Sequence, residues 1–353
     1  MGDSTNGSNP GSNSNGLGES SNTDLSGNSG DSASNDGWLY TSGNHIYLGD
    51  NVWMGRGANI HDMRSCNACT WKDPEVGEVN RRLDELYDVW GANFVRLALE
   101  SYAGAEGYRA ESNFKSILDD SSVLDQVEQI VDHIGQKENA YVLVTLWIDP
   151  SFTPLGWPTE DTQQIWEMVA TRFAHDRHVL FGLVNEPQSN FDGAQDAQVW
   201  QAMNDTVQAI RDAEQAAGAP YKHIVSVQGT RAWARYLDYY VDHPITASGG
   251  ENIVYESHPY FDSGTPPDTD SFYDSLFGDA AQTIPVIIGE YGSSEINSVV
   301  SYAEQRQISH LAWTFHHNCA PNLIQDTSSD GCGIGMDLLP TSFGQQLMAI
   351  LKP

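Results

Sequence analysis

The feature that most constrains this chain is a pair of apolar runs that each end abruptly in polar residues. The first run covers residues 179–184 and is followed by Asn185 and Glu186, and the second covers 284–289 and is followed by Glu290. An uninterrupted apolar run bounded by turn residues is typical of a strand buried on both faces, as in a parallel sheet. Because α/β proteins place their chemistry at the carboxyl ends of such strands, we expect both glutamates to share one site. Paired carboxylates are the usual machinery for cleaving a glycosidic bond.

The rest of the chain alternates between apolar strands and amphipathic helices. A short hairpin at 38–48, turning at 42–44, precedes the core. The sequence predicts core strands at 52–60, 93–97, 140–147, 179–187, 223–228, 252–260, 284–290 and 310–316. Helical spacing of apolar residues predicts helices at 74–90, 123–134, 162–173, 197–217 and 299–307. This order predicts a (β/α)8 barrel. A doubly wound open sheet is the alternative, but no Gly-rich phosphate loop supports it.

Composition divides the chain once, near residue 36. Residues 1–36 are almost all Gly, Ser, Asn and Asp, with no aromatic residue, no Ile or Val, and no Lys or Arg. Such a segment buries too little apolar surface to offset the entropy lost on ordering, so we expect a disordered linker or tail. Residues 37–353 are long enough for one catalytic domain. Met1 leads directly into the linker-like segment, so we expect a longer natural chain with a secretion signal before it, and an extracellular protein.

The charge of the chain is strongly acidic. There are 48 acidic residues against 17 basic ones, which gives a net charge of −31, and only five of the basic residues are Lys. Nucleic acid is not expected as a partner, because its phosphates would be repelled. An acidic, Lys-poor surface is a device that keeps halophilic proteins soluble in concentrated salt, although an acidic mesophilic protein is the alternative. The sequence contains no run of about 18 apolar residues, so no membrane span is expected. We also expect a monomer.

The four cysteines fall into two pairs, Cys66 with Cys69 and Cys319 with Cys332. Four cysteines allow three disulfide connectivities, and the sequence does not choose among them. A tetrathiolate zinc site is the rival interpretation, because two residues separate Cys66 from Cys69. The wider second spacing does not match the paired short spacings of zinc ribbons. Disulfides are therefore favoured, in keeping with an extracellular protein.

Several strand ends together resemble a known enzyme family. The tripeptide from Asn185 to Pro187 follows the fourth predicted strand, and Glu290 follows the seventh, as in clan A glycoside hydrolases. Arg96, the tripeptide 258–260 (His-Pro-Tyr) and Trp313 narrow the resemblance to glycoside hydrolase family 5, the cellulase and mannanase family. The resemblance extends over residues 38–350. The tripeptide alone would be a weak signal, but these motifs in this order on successive strand ends are specific.

The resemblance implies a role for each matched residue. Glu186 would be the general acid and base, Glu290 the nucleophile that forms a glycosyl-enzyme intermediate, and Asn185 the ligand of the sugar 2-hydroxyl. The family also implies retention of anomeric configuration, for which the two carboxyl groups lie about 5–5.5 Å apart. Each residue has a plain structural alternative: the glutamates could be salt-bridged strand ends, and Asn185 a turn former.

Four more residues would support the two glutamates. The resemblance implies that Tyr260 donates to Glu290, that Arg96 acts on the same carboxylate, that His258 lies beside Glu186, and that Trp313 forms a flat wall under the sugar. The alternatives are that Arg96 only neutralises a buried carboxylate and that the others are core residues.

One departure and several open assignments remain. Many family members carry a histidine at the end of the third strand, where this chain has Trp147, with Asp149 two residues later. Either residue would occupy that space. His61 ends the first strand and is a candidate to line the sugar site. His316 and His317 are consecutive at the end of the predicted eighth strand. Adjacent residues on a strand point to opposite faces, so we do not expect them to share a metal ion. Candidate sugar platforms in loops after strands are Trp71, Trp147, Trp157 and Trp233.

The sequence and its resemblance to family 5 together imply a retaining endo-β-1,4-glycanase without cofactor or metal, with cellulose or a related β-1,4-glucan as the expected substrate. β-Mannan is the runner-up, because it would be cleaved by the same carboxylates. Two further alternatives are a carbohydrate-binding barrel that has lost catalysis and a metal-dependent esterase or deacetylase. The latter would need a His/Asp ligand cluster, which only His61 and Asp62 suggest.

Overall fold

The computed structural model describes residues 37–61, 76–99, 117–146, 157–187, 190–262, 264–329 and 333–352. Within these ranges eight parallel strands close into a barrel, and helices follow most of the strands. The predicted (β/α)8 barrel is therefore confirmed. No helix in the described ranges is both long and apolar enough to cross a membrane. The linker predicted at 1–36 lies outside these ranges, and the division of the chain near residue 36 stays a prediction.

A small antiparallel sheet precedes the barrel. It consists of β1 (Leu39–Ser42), β2 (His45–Leu48) and β3 (Asn51–Val52). The barrel strands follow in chain order as β4 (Arg56–His61), β5 (Phe94–Leu99), β6 (Tyr141–Leu146), β7 (Val179–Gly182), β8 (Val225–Gln228), β9 (Ile253–Ser257), β10 (Val286–Ile288) and β11 (Ser309–Ala312). Each barrel strand pairs with the next along the chain, and β11 pairs with β4 to close the barrel.

The helices pack around the outside of the barrel. They are α1 (Val76–Asp84), α2 (Ser122–Gly135), α3 (Glu160–Arg172), α4 (Asp196–Ala217), α5 (Asp238–Asp242), α6 (Thr269–Tyr273), α7 (Ile296–Arg306) and α8 (Ser342–Leu351). Two π-helical turns (Glu85–Val89 and Asp274–Gly278) and two 3-10 turns (Ala247–Gly250 and Ala280–Gln282) complete them. Local chemistry sets several ends: Thr159 and Thr162 cap each other at the start of α3, and Gly218 ends α4 at φ 72°.

The strand predicted at 52–60 is in fact two strands. Val52 pairs antiparallel with Tyr47 in the small sheet, and only Arg56–His61 enters the barrel. Between them Trp53 turns inward and makes edge-to-face contacts with Phe94 and Tyr141, with ring centroids 5.2 Å apart in both cases. The small sheet and this indole close the amino end of the barrel, which a strand pattern read one segment at a time does not predict.

Alternation along each strand separates the two cores of the domain. On β5, for example, Val95 and Leu97 face the helices while Phe94 faces the barrel interior, because successive strand residues point to opposite faces. The interior cluster at the amino end of the barrel is wholly apolar. It consists of Leu39, Ile46, Trp53, Phe94, Tyr141, Leu143, Leu180, Ile224, Val254, Ile287 and Leu311.

Two residues further along the strands, the inward positions change character. They hold polar groups or glycine: Arg96 after Phe94, Thr145 after Leu143, Gly182 after Leu180, Ser226 after Ile224, Glu256 after Val254 and Gly289 after Ile287. All the polar members of this layer are fully buried. Buried polar groups are stable only when they are hydrogen-bonded to one another, so this layer predicts a connected network at the carboxyl end of the barrel.

Candidate active site

The two predicted glutamates lie together at the carboxyl end of the barrel. Glu186 follows β7, Glu290 follows β10, and His258 follows β9 between them. One carboxylate oxygen of each glutamate and one imidazole nitrogen all lie within 4.8 Å of one another. Strands far apart in sequence therefore bring one carboxylate pair to a single point, as the two apolar runs predict.

Glu290 is the more buried of the two carboxyl groups, at 4% exposed. Its Oε1 accepts a hydrogen bond from Arg96 Nη1 at 2.8 Å, and its Oε2 accepts one from the Tyr260 hydroxyl at 3.0 Å. Burial raises the pKa of Glu290 above its ordinary value, and the charge of Glu186 acts in the same direction, while His258, Arg96 and Tyr260 oppose both. Because it is held by two donors, the carboxylate is oriented with little freedom to turn.

Glu186 is partly open to solvent, with a quarter of its side chain exposed (25%). Its Oε1 lies 2.8 Å from His258 Nδ1. The backbone at Glu186 has φ 52°, a left-handed conformation that is uncommon outside glycine, and its N–H donates to Gln228 Oε1. The side chain thus leaves the end of β7 at an angle that the neighbouring strand holds in place.

Arg96 connects most of the site. The guanidinium is fully buried on β5 and reaches four acceptors. Its Nη1 donates to Asn59 Oδ1 at 2.9 Å and to Glu290 Oε1, and its Nη2 donates to Asn185 Oδ1 at 2.7 Å. Its Nε lies 3.0 Å from Glu256 Oε1. A planar fork of five N–H groups suits this arrangement, which a lysine ammonium could not reproduce.

His258 is fully buried between carboxyl groups. Its Nδ1 lies 2.8 Å from Glu186 Oε1, and its Nε2 lies 2.9 Å from Glu256 Oε1. Burial alone would lower the pKa of His258, but Glu290, Glu186 and Glu256 outweigh it and raise the pKa to about 9. At neutral pH both ring nitrogens therefore carry protons and donate.

Trp313 and His61 lie side by side at the carboxyl ends of β11 and β4. Trp313 follows β11 at 7% exposed, and its ring meets the His61 ring edge-on with centroids 5.4 Å apart. The peptide bond between Trp313 and Thr314 is cis. His61 Nε2 is also 3.9 Å from Cys319 Sγ.

The predicted strand at the consecutive histidines is shorter in the structure, and several candidate residues lie outside the described ranges. The predicted strand 310–316 ends at Ala312, so His316 and His317 do not alternate between faces; their rings stack with centroids 4.5 Å apart. Trp147 and Asp149 lie outside the described residues, as do Asp62, Trp71 and three of the cysteines: Cys66, Cys69 and Cys332. Their predicted roles, including the disulfides, stay predictions.

Three buried residues of the site were not predicted from the sequence. Glu256, Asn59 and Gln228 are each 0% exposed and contact the predicted residues directly. Asn59 Nδ2 donates to the Gly289 carbonyl at 2.8 Å while its Oδ1 accepts from Arg96, and Gln228 Nε2 donates to Glu256 Oε1 at 3.2 Å. The signal that could have found them is a single polar residue at an inward-facing position of a strand that is otherwise apolar on both faces.

Within the described residues, one group of three side chains has the residue types and the closeness that a metal site needs. It consists of Glu186, His258 and Glu290. Its chemistry does not suit a divalent cation. A metal ligand needs a free lone pair, whereas His258 is a cation with both nitrogens donating, and Arg96 already neutralises Glu290. The positive charge beside the two carboxyl groups comes instead from the side chains of Arg96 and His258.

A model of the cellulase family, glycosyl hydrolase family 5, matches residues 52–318. The chain belongs to glycosyl hydrolase family 5. Endoglucanase C of Evansella cellulosilytica is 26% identical over 206 residues, which cover 53% of this chain and 22% of that protein. The chain spans less than half the length of the curated relatives it matches, with 22%, 44% and 22% of their lengths covered.

Solved structures share the barrel fold of this chain. The β-glucanase SdGluc5_26A from Saccharophagus degradans, in complex with cellotetraose, is 20% identical with a TM-score of 0.64 over 89% of this chain and 92% of that one. The catalytic domain of Thermobifida fusca endoglucanase Cel5A is 18% identical with a TM-score of 0.67 over 90% of this chain and 98% of that one. At these identities the likeness concerns the fold.

Proposed function

We propose that this family 5 chain is a retaining endo-β-1,4-glucanase in which Glu290 is the nucleophile and Glu186 the general acid and base. One observation carries the proposal: the two carboxylates meet, with oxygens within 4.8 Å, yet have opposite environments. Glu290 is enclosed and held by Arg96 and Tyr260, whereas Glu186 is partly open beside His258. A fixed, ionised nucleophile and a solvent-accessible proton donor require this difference.

The first step breaks the glycosidic bond. A Glu290 oxygen attacks the anomeric carbon, and the bond to the leaving oxygen breaks as Glu186 gives that oxygen its proton. The products are a glycosyl ester on Glu290 and a shortened glycan with a free hydroxyl. The short separation of the carboxyl groups supports this double displacement, because an inverting enzyme keeps about 6.5–9.5 Å between them for a water molecule.

The second step releases the sugar. Glu186, now ionised, takes a proton from a water molecule, the oxygen of which attacks the anomeric carbon and displaces Glu290. Both glutamates return to their starting states, and two inversions give net retention. The exposed quarter of the Glu186 side chain provides the path by which this water reaches it.

Asn185 is oriented to hold the substrate. A guanidinium has only donors, so the amide atom 2.7 Å from Arg96 Nη2 is the oxygen. The amide NH2 is therefore left to donate, and we assign it the sugar 2-hydroxyl beside the cleaved bond. Such a hydrogen bond strengthens as positive charge develops on the sugar ring in the transition state.

β-1,4-Glucan is the proposed substrate, because endoglucanases are among the named relatives and a β-glucanase of the same fold binds cellotetraose. Exposed aromatic rings in the loops after β7 and β8 support the binding of an extended glycan chain. Phe191 is 55% exposed and Trp233 39% exposed, and their rings meet edge-on at 4.8 Å. Sugars stack on such faces, so we assign Trp233 to a sugar platform. Trp157, partly buried against the helix-facing core, is a weaker candidate.

The test is reducing-sugar release in molar salt from carboxymethylcellulose and from mannan, with wild type and Glu290→Ala side by side. We expect activity on carboxymethylcellulose that Glu290→Ala abolishes, with a rapid fall in viscosity that marks internal cleavage. Proton NMR of the first product should show the β anomer. Activity on mannan alone would replace the substrate, an α product would overturn retention, and full activity of Glu290→Ala would overturn the nucleophile assignment.

The same assay separates the remaining alternatives. A barrel that only binds carbohydrate would release no sugar from either polymer but would retain binding. A metal-dependent esterase would lose activity in EDTA, whereas we expect EDTA to leave glycan hydrolysis unchanged. We further propose that the protein acts as an extracellular monomer in high salt, which its charge of −31 supports.

A further inference from the structure

A third carboxylate lies directly beneath the two catalytic ones. Glu256 is on β9, two residues before His258, and is 0% exposed, so it does not reach a substrate. Its Oε1 accepts from His258 Nε2 at 2.9 Å and from Gln228 Nε2 at 3.2 Å, and lies 3.0 Å from Arg96 Nε. Its Oε2 accepts from the Ser226 hydroxyl at 2.6 Å. Every oxygen of this carboxylate is thus directed at a donor.

The cations that Glu256 holds are the same two that face the catalytic carboxyl groups. Arg96 reaches from Glu256 to Glu290, with 3.0 Å on one side and 2.8 Å on the other. His258 reaches from Glu256 to Glu186, with 2.9 Å on one side and 2.8 Å on the other. Glu256 is therefore one contact away from both the nucleophile and the acid, through a different cation in each case.

The neighbouring strand leaves room for this carboxylate. A Cβ atom added at Gly289 would lie 2.0 Å from Glu256 Oε1 and 2.6 Å from its carboxyl carbon. The residue immediately before the nucleophile is thus a glycine at a point where any side chain would displace Glu256. The position of Glu256 and the backbone that carries Glu290 are mutually constrained.

We infer that Glu256 is a positioning residue for catalysis: it keeps His258 in its doubly protonated form and fixes Arg96, so that Glu186 and Glu290 each face a fixed cation. The inference rests on the proposed function. With Glu186 protonated, two cations (Arg96 and His258) balance two anions (Glu256 and Glu290), and the buried cluster is neutral. Removing the charge of Glu256 unbalances it and favours loss of a proton from His258.

The ionisation of both partners agrees with this geometry. Burial alone would raise the pKa of Glu256, but Arg96, His258 and Ser226 outweigh it and lower the pKa to about 2. The charged groups that face His258 are Glu256 on its own strand, Glu186 after β7 and Glu290 after β10, with Gln228 of β8 as a neutral neighbour 3.5 Å away. All three of these charged groups favour the imidazolium, and Glu256 is the one that no substrate or reaction step alters.

The test is Glu256→Gln, which keeps the volume and a hydrogen-bond acceptor but removes the charge. With unactivated cello-oligosaccharides we expect kcat/KM to fall by about 10- to 100-fold, by analogy with the carboxylates that orient metal-ligating histidines through the far ring nitrogen. The loss should be in kcat more than in KM, and smaller for aryl cellobiosides with good leaving groups. The basic limb of the pH profile should move to higher pH, because an acid without a cation beside it keeps its proton longer.

Glu214 provides a matched control. It is a buried glutamate on α4 that also joins an arginine to a histidine, with Arg211 Nη1 and His223 Nδ1 each 2.7 Å from its carboxylate. Glu214→Gln removes the same kind of charge in the helix layer, outside the catalytic cluster. We expect it to lower the melting temperature while leaving the pH profile and the leaving-group dependence at wild-type values.

A second readout does not depend on activity. Histidine-selective NMR of the wild type, assigned with His258→Asn, should show His258 protonated on both nitrogens through pH 7, and in Glu256→Gln the same signals should titrate at lower pH. A wild-type His258 that titrates near pH 6.5, or a folded Glu256→Gln with an unchanged pH profile, would overturn the inference. If neither polysaccharide is hydrolysed, the proposed function fails while the NMR titration still decides the role of Glu256.

Discussion

At the scale of single residues, Glu186 and Glu290 differ more in surroundings than in chemistry. Both are glutamates after short buried strands, but one is 25% exposed in its side chain and the other is 6% exposed. The enclosed carboxylate is held by a guanidinium and a phenol, whereas the open one contacts an imidazolium. This difference, rather than residue type, is the basis for the two roles that we propose.

The role that we propose for Glu186 predicts a dependence on the leaving group. In Glu186→Ala the leaving oxygen receives no proton, so substrates with poor leaving groups should lose about 10²- to 10⁴-fold in kcat, the range expected of a general acid. A dinitrophenyl cellobioside needs little protonation and should lose much less in the bond-breaking step. Pre-steady-state kinetics on both substrates would measure the contrast. An equal loss on both would contradict the acid role.

The ionisation of His258 predicts how stability changes with pH. Its pKa is about 9 in the folded protein and near the ordinary value of 6.5 in the unfolded chain. Between these values the folded state binds more protons than the unfolded chain. The contribution of His258 to the free energy of unfolding should therefore be complete below pH 6.5 and should be lost as the pH rises from 6.5 through about 9. Denaturant unfolding at constant salt would measure the slope.

His258→Asn is the control for that slope, because asparagine does not titrate. The difference in unfolding free energy between wild type and this variant should shrink as the pH rises towards 9. A difference that stays constant over this range would show that His258 is not preferentially protonated in the folded protein.

At the scale of elements, the barrel strands combine two layers of opposite character. The same inward face that carries Phe94 and Val254 at the amino end carries Arg96 and Glu256 two residues later. The apolar layer excludes water from beneath the polar one, which strengthens each charge interaction above it. The strands thus provide both the stability of the core and the rigid support of the site.

Gly289 predicts the consequence of disturbing this layer. Gly289→Ala places a Cβ 2.0 Å from Glu256 Oε1, so β10 or Glu256 must shift. We expect a loss of about 1–3 kcal/mol in the free energy of unfolding, as for overpacked cores, together with a fall in kcat because Glu290 is the next residue. Thermal melts and steady-state kinetics would measure both effects.

The control for Gly289→Ala is Gly77→Ala on α1, where the added Cβ meets no atom within 4 Å. Alanine has the higher helix propensity, by about 1 kcal/mol, so this variant should be as stable as wild type or more stable, with unchanged activity. Wild-type melting and kinetics in Gly289→Ala would mean that β10 tolerates the displacement, and the constraint on Glu256 would be disproved.

At the scale of the whole molecule, acidic groups outnumber the cations that contact them. Arg172 Nη1 lies between Asp125 and Glu128, at 2.8 and 2.7 Å, and Lys137 Nζ lies between Asp84 and Asp88, at 2.6 and 2.7 Å. Exposed ion pairs of this kind contribute little to stability. Even where a cation contacts two carboxylates, one negative charge remains, and the chain as a whole carries a net charge of −31.

This imbalance predicts that salt stabilises the fold. Raising NaCl from about 0.01 M to 1 M shortens the screening length from about 30 Å to 3 Å and should raise the melting temperature by several degrees. Calorimetry across this range would measure the rise, with sucrose of equal osmolality as the control for preferential exclusion. A melting temperature that does not depend on salt would end the proposal of salt adaptation.

The sequence by itself determined the barrel and the residues at its strand ends. Apolar runs that end in polar residues are local signals, and they predicted Asn185, Glu186 and Glu290. The resemblance to family 5 added Arg96, His258 and Tyr260, and the structure brings all six together. Element boundaries were less well predicted, because Val52 joins one sheet and Arg56 another through pairing with distant strands.

Only the tertiary structure decided how the charges beneath the site are shared. Glu256, Asn59 and Gln228 come from three strands, and each looks like an isolated polar residue in an apolar segment. Their roles depend on which strands become neighbours and on which inward positions fall at the same level of the barrel. Both are set when the sheet closes, because hydrogen bonding between side chains depends on distances that sequence spacing along one strand does not contain.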